Sequence, residues 1–187
     1  SIAVARDDVV ISSLPVTILA RLLGYDSNLS FRGIKSTYLA YEKEKIIPGD
    51  IHWLYYGANE ILFNRVTEPK KLSPFVSQDN KTYLTVETTF SSGDAVDIMS
   101  PSELIDTIGE QVETVGLVKK NEIIDASVNT ERYVYPLLYR GHEEELANTR
   151  SVVSKFQQLY SIGTGGDYDY ADSQVLFHKA FDLADVI

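Results

Sequence analysis

The stretch from Leu159 to Ala184 constrains this chain most. It reads as a short apolar strand, a glycine-rich turn containing Gly163-Thr-Gly-Gly166, and an amphipathic helix. Glycine permits positive φ and close backbone approach, and a strand-to-helix turn gathers backbone N–H groups at a helix N-terminus. Such a junction suits the polar side of a bound cofactor. An ordinary strand-to-helix connection uses glycine for turn geometry alone and is the competing reading.

Upstream, Asp7 to Pro15 reads as a compact strand ended by a proline turn, and Val16 to Leu23 as a short helix closed by Gly24. Ile34–Tyr41 and Tyr83–Phe90 alternate between apolar and polar residues. His52–Tyr56 and Ile61–Val66 lie between them, and all four segments read as strands of one antiparallel sheet. The short Gly57–Glu60 segment joins the middle two as a hairpin. The clearest helix starts at Ser100, with Pro101 in its first turn, Glu103 completing a capping box and Gly116 ending it. Leu104, Ile105, Ile108, Val112 and Val115 form its buried stripe. Ile123–Val134 returns to extended structure, broken by Tyr135-Pro136. A helix from about Glu143 to Phe156 has three glutamates at its positive end. With no repeat or linker, this order makes an α+β chain.

The 187 residues are enough for one well-cored domain, and the net charge of -10 opposes nonspecific attachment to nucleic acid or an anionic membrane. No apolar run approaches the ~20 residues of a membrane span, and no basic-then-apolar leader is present. The absence of cysteine removes disulfides, thiolate nucleophiles and cysteine-built metal sites, in keeping with a cytoplasmic location.

His52, His142 and His178 lack zinc-ligand spacing, no G-x-S-x-G is present, and Asp167, Asp169 and Asp172 lack the twelfth-position glutamate of a calcium loop. No metal site and no catalytic residue are assigned. Arg65, between Phe63 and Val66, could clamp a carboxylate or phosphate in its fork; a pair with Glu68 or a solvated edge charge is the alternative.

Gly163, Gly166, Tyr168, Tyr170, Asp172 and Gln174 carry a wider pattern. Here the chain resembles the C-terminal end of FAD-dependent amine-oxidase-like proteins, in the superfamily of UDP-galactopyranose mutase and protoporphyrinogen oxidase. That group ends in a strand, a Gly-Arg-x-Gly-x-Tyr-x-Tyr segment and a helix opening near Asn-x-Asp. Val10–Pro15, His52–Tyr56 with Phe63–Pro69, and Tyr133–Pro136 with Gly141–Leu146 extend the resemblance over nearly the whole chain. Thr164 stands where the group has arginine, and Ala171-Asp-Ser-Gln174 replaces its Asn-x-Asp, which puts mutase chemistry in doubt. The G-x-G-x-x-G pyrophosphate fingerprint is absent from these residues.

The resemblance implies a C-terminal fragment of a flavoprotein. Residues 1–24 and 159–187 would be remnants of an FAD-binding domain, and residues 25–158 an antiparallel substrate-binding domain with packed helices. It assigns Gly163, Thr164, Gly166, Asp167 and Asp172 to FAD, and Tyr55, Arg65, Tyr168 and Tyr170 to a small-molecule substrate such as a nucleotide sugar or surface-polysaccharide precursor. FAD would belong to the full-length parent, which supplies the N-terminal FAD-binding segment, and would not be retained by the isolated piece. A stand-alone, non-catalytic α+β binding domain is the rival.

Overall fold

Alternation decides the sheet, because successive strand side chains point to opposite faces and only one face needs a core. The computed structural model describes residues 4–5 and 7–187. Its strands are β1 (Val10–Ser12), β2 (Phe31–Tyr41), β3 (Trp53–Tyr55), β4 (Arg65–Thr67), β5 (Thr82–Phe90), β6 (Ile123–Pro136) and β7 (Leu159–Ser161). Its helices are α1 (Val16–Leu22), α2 (Ala95–Ile98), α3 (Pro101–Thr114), α4 (His142–Val153), α5 (Gly163–Asp167) and α6 (Ser173–Ala184). The chain divides into two units, one of Gly33–Arg132 and one of the flanking residues up to Arg32 and from Tyr133.

In the Gly33–Arg132 unit the sheet order is β3-β4-β5-β2-β6, and the pairs β3–β4, β4–β5 and β2–β5 are antiparallel. Leu39, Tyr41, Leu84 and Val86 pack with Phe63 and with Leu104, Ile108 and Val112 of α3. The Ser100 capping box forms as expected, with its hydroxyl accepting from the Glu103 N–H and the Glu103 carboxylate accepting from the Ser100 N–H. Buried Lys35 donates to the carbonyls of Asp97 (3.1 Å) and Met99 (2.8 Å), satisfying the end of α2. Asp97 receives the Gly93 N–H and faces Arg132, which together hold its carboxyl below the usual range.

One expected strand is shorter than the alternation implies. Strand structure does not cover Ile61–Val66; it begins at Arg65, because Phe63 turns into the core and the Leu62 N–H donates to the Gln111 side chain of α3 (2.7 Å). The loop between β3 and β4 is correspondingly longer than Gly57–Glu60. Conversely, β6 continues through Tyr135 to Pro136 instead of breaking before them.

In the flanking unit, β1 and β7 form a two-stranded parallel ribbon, with Val10 opposite Leu159 and Ser12 opposite Ser161. Val16, Leu29, Phe31 and Tyr168 make a small core. Glu145 of α4 gathers the turn after α1, accepting from the Tyr25 and Ser27 hydroxyls and from the Asn28 N–H. Among the described residues no helix is long and apolar enough to cross a membrane, and no cluster of His, Asp and Glu could hold a metal ion.

Candidate functional site

The glycine-rich run is not an open turn; Gly163–Asp167 winds into the five-residue helix α5. Gly163 has φ +89°, and no atom lies within 4 Å of where its Cβ would stand. Thr164 is half-buried, and the leading N–H groups of α5, which have no intrahelical partner, receive no side-chain cap at Ile162. Gly165 and Gly166 meet a different constraint. A Cβ on Gly165 would lie 3.2 Å from the Pro15 Cα, and one on Gly166 would lie 2.9 Å from the Ser161 hydroxyl oxygen. These two glycines let α5 pack against the Leu14–Pro15 turn and β7.

Side chains of the same loop are tied inward. The Tyr168 backbone is left-handed at φ 50°, and its ring is buried against Phe31. Its hydroxyl lies 2.7 Å from the Ser30 carbonyl and 2.9 Å from that of Leu137, and burial pushes its pKa up. Tyr168 is thus a positioning residue here, whereas exposed Tyr170 rests on Tyr135 with ring centroids 4.8 Å apart. Asp167 and Asp169 both pair with Lys179 of α6, at 2.9 and 3.0 Å, and raise its pKa. Asp172 precedes α6, but its carboxylate accepts from the Gln174 amide (3.3 Å) and does not cap the helix backbone.

We expect Gly166→Val to lower the melting temperature clearly more than Gly163→Ala. The first forces a branched side chain into Ser161 and the Leu14 carbonyl, and overpacking of this kind costs about 1–3 kcal/mol. The second meets open space and carries only the positive-φ penalty of roughly 1 kcal/mol. Melting curves of the two variants check this ordering, and equal losses would contradict it.

Tyr55 and Arg65 meet on the Gly33–Arg132 unit, on the sheet face turned away from α3. Register places Tyr55 opposite Arg65, Arg65 opposite Glu87, and Glu87 opposite Ser36. The neighbouring row is Trp53, Thr67, Thr85 and Tyr38. Between these rows, Leu54, Val66, Val86 and Thr37 point to the core. The open face holds a cavity of about 340 Å³ lined by Tyr55, Arg65 and Glu87 of one row, Trp53, Thr67 and Thr85 of the other, and Leu72.

Within that cavity the Arg65 Nη2 donates to Glu87 Oε1 at 2.6 Å, and its guanidinium carbon sits 6.0 Å from the Tyr55 ring centre. The bond to Glu87 raises the guanidinium pKa further. Glu68, the partner considered from sequence, is buried elsewhere: its carboxylate accepts from the Ile46 and Ile47 N–H groups and the Thr82 hydroxyl. Sequence reasoning missed Glu87 and Trp53. Alternation puts Glu87 on the face of Tyr83 and Thr85, but the register that sets it against Arg65 involves residues far apart in the chain.

No family model matches the chain, and no curated protein does. Solved structures do. A reduced UDP-galactopyranose mutase superposes with TM-score 0.74 at 18% identity, over 87% of this chain and 37% of the mutase. A putative protoporphyrinogen oxidase from Exiguobacterium sp. 255-15 gives TM-score 0.66 at 14% identity, over 84% of this chain and 36% of its own. The chain shares their fold and spans little more than a third of their length.

Proposed function

We propose that this chain is the C-terminal part of a flavin-dependent enzyme of the oxidoreductase or mutase kind, acting on a small molecule such as a nucleotide sugar. The observation that carries this reading is the β1–β7 ribbon. Parallel strands normally lie in larger sheets covered on both faces, yet Ile11 in the middle of the first strand is 51% exposed, and Val9 just before that strand is 45% exposed. Helix α6 has no buried residue and exposes Phe177 and Phe181 one turn apart. Both features suit the margin of a larger α/β layer, supplied by an N-terminal FAD-binding segment.

The residues present fit one border of a flavin. Uncapped N–H groups at α5, the open side of Gly163 and the half-buried Thr164 could meet the acceptor-rich pyrimidine edge or the ribityl hydroxyls. Asp167 and Asp172 would accept ribityl hydroxyls, and Gly166 would hold the loop at the right depth. Nothing in the sequence supplies the pyrophosphate cradle. The flavin would carry the electron transfer or covalent chemistry, and this chain would position and enclose. Tyr55 and Arg65, with exposed Tyr170, would contact substrate.

We expect the purified 187-residue chain to be colourless and inactive, and a longer polypeptide containing it behind a dinucleotide-binding segment to carry flavin. Absorbance spectra of the two preparations provide the check. Stoichiometric flavin on the chain alone would overturn its assignment as a part. A longer gene product without flavin, or a gene starting at Ser1, would favour a stand-alone binding domain.

A further inference from the structure

The open sheet face is an unusual place for an arginine meant to grip phosphate. Its charge is already matched: Arg65 and Glu87 touch at 2.6 Å, and neither Trp53, Tyr55, Thr67, Leu72 nor Thr85, the rest of the lining, adds another. The Glu87 side chain is also mostly covered, at 14% exposure against 35% for Arg65. An incoming phosphate would meet the Glu87 carboxylate, compete with it for the guanidinium charge, and approach a chain of net charge -10. A neutral hydroxyl suffers none of these penalties. It can donate to the carboxylate or accept from the guanidinium, whereas a phosphate dianion can only accept.

The remaining lining has a second character. Trp53 and Tyr55 present ring surface at 47% and 68% exposure, and Leu72 adds an apolar wall. Thr67 and Thr85 continue the Trp53 row alongside the row of Tyr55, Arg65 and Glu87, and so set two hydroxyl-bearing side chains beside the ion pair. Apolar ring faces beside paired donors and acceptors complement a molecule with C–H groups on one side and hydroxyls on its rim.

We propose that this cavity binds the neutral, hydroxyl-bearing ring of a ligand, a pyranoside, and discriminates against phosphate, with Glu87 setting the discrimination by neutralising Arg65. The proposal rests on the reading of this face as substrate-binding, and it assigns the face to the glycosyl portion of such a substrate. It concerns residues of one unit and is testable without flavin.

Trp53 is the only tryptophan in the chain, so its emission reports directly on the cavity. The chain is titrated with neutral methyl hexopyranosides, including the galactoside, and separately with pyrophosphate at matched ionic strength. At least one hexopyranoside should change the emission saturably, and pyrophosphate should not. In Glu87→Gln the freed guanidinium should acquire a saturable pyrophosphate response, with hexopyranoside binding weakened about tenfold, as expected for loss of a charged hydrogen-bond acceptor. Thr67→Lys, which adds an unmatched cation to the same face, should gain the pyrophosphate response by an independent route if Glu87→Gln does not fold. Saturable pyrophosphate binding to the unaltered chain, absence of any hexopyranoside response, or no gain in a folded variant would each overturn the proposal. Flavin retention by the longer polypeptide is a separate measurement, so the two readings fail separately.

Discussion

Glu68→Ala should remove about 3–5 kcal/mol from the stability of the Gly33–Arg132 unit, the sum expected when several buried donors lose one acceptor and water repairs part of the loss. Glu68 is fully buried. Its two oxygens accept from the Ile46 N–H at 2.9 and 3.1 Å, the Ile47 N–H at 2.8 Å and the Thr82 hydroxyl at 2.8 Å. The carboxylate thus satisfies a backbone segment that no strand partner reaches, and ties it to the start of β5. Alanine removes the acceptor of all of these donors, and only water entering the vacated space can replace part of it. Glu68→Gln keeps the volume and one carbonyl oxygen, but it turns the amide toward other donors, so it should lose roughly half as much. Urea unfolding of the three proteins measures both steps. An alanine variant with an unchanged midpoint would mean that solvent already reaches these groups.

Gly33→Val should have an effect at least as large. A Cβ at this position would stand 2.4 Å from the Phe90 Cζ, 2.6 Å from its Cε1 and 2.8 Å from the Glu131 carbonyl oxygen. Neither neighbour yields easily. Phe90 is 1% exposed, with the Lys35 ammonium 6.0 Å and the Arg132 guanidinium 5.6 Å from its ring centre, and the carbonyl belongs to the backbone of β6. Overpacking typically costs about 1–3 kcal/mol, and a branched side chain pressed against a strand backbone should exceed the upper figure. Loss of the cooperative melt in Gly33→Val is the expected result. The cause is separable by a double-mutant cycle, because Gly33→Ala combined with Phe90→Leu should be less destabilised than the sum of the single changes. Strict additivity would remove Phe90 from the explanation.

Much of the architecture was legible before any coordinates. The period-two alternation of Ile34–Tyr41 and Tyr83–Phe90 predicts long strands with one buried face, and β2 and β5 cover both segments. Ser100, Pro101 and Glu103 predict the start of α3 through local hydrogen bonds, and its stripe of Leu104, Ile108 and Val112 is buried. These signals are readable because each depends on residues within a turn or a strand of one another. Ile61–Val66 has the composition of a strand, yet pairing begins only at Arg65, since a side chain from α3 takes the Leu62 N–H. Propensity cannot anticipate a donor's partner 49 residues away.

The candidate sites divide along the same line. The glycine run between Leu159 and Ala184 marks a special junction from sequence, because glycine is chosen for backbone freedom and for room. Which glycine serves which need was decided by tertiary structure: Gly163 for its positive φ, Gly166 for the approach of Ser161 and Leu14. Tyr168 and Tyr170, two residues apart and equivalent on paper, part company, one buried with its hydroxyl on backbone carbonyls and the other exposed. Arg65 was visible as a cation on a strand, but its partner is Glu87 and not nearby Glu68. Local chemistry reveals which groups a segment offers. Cross-strand register, which sums many weak contacts over distant residues, decides which of those groups meet and whether their charges cancel.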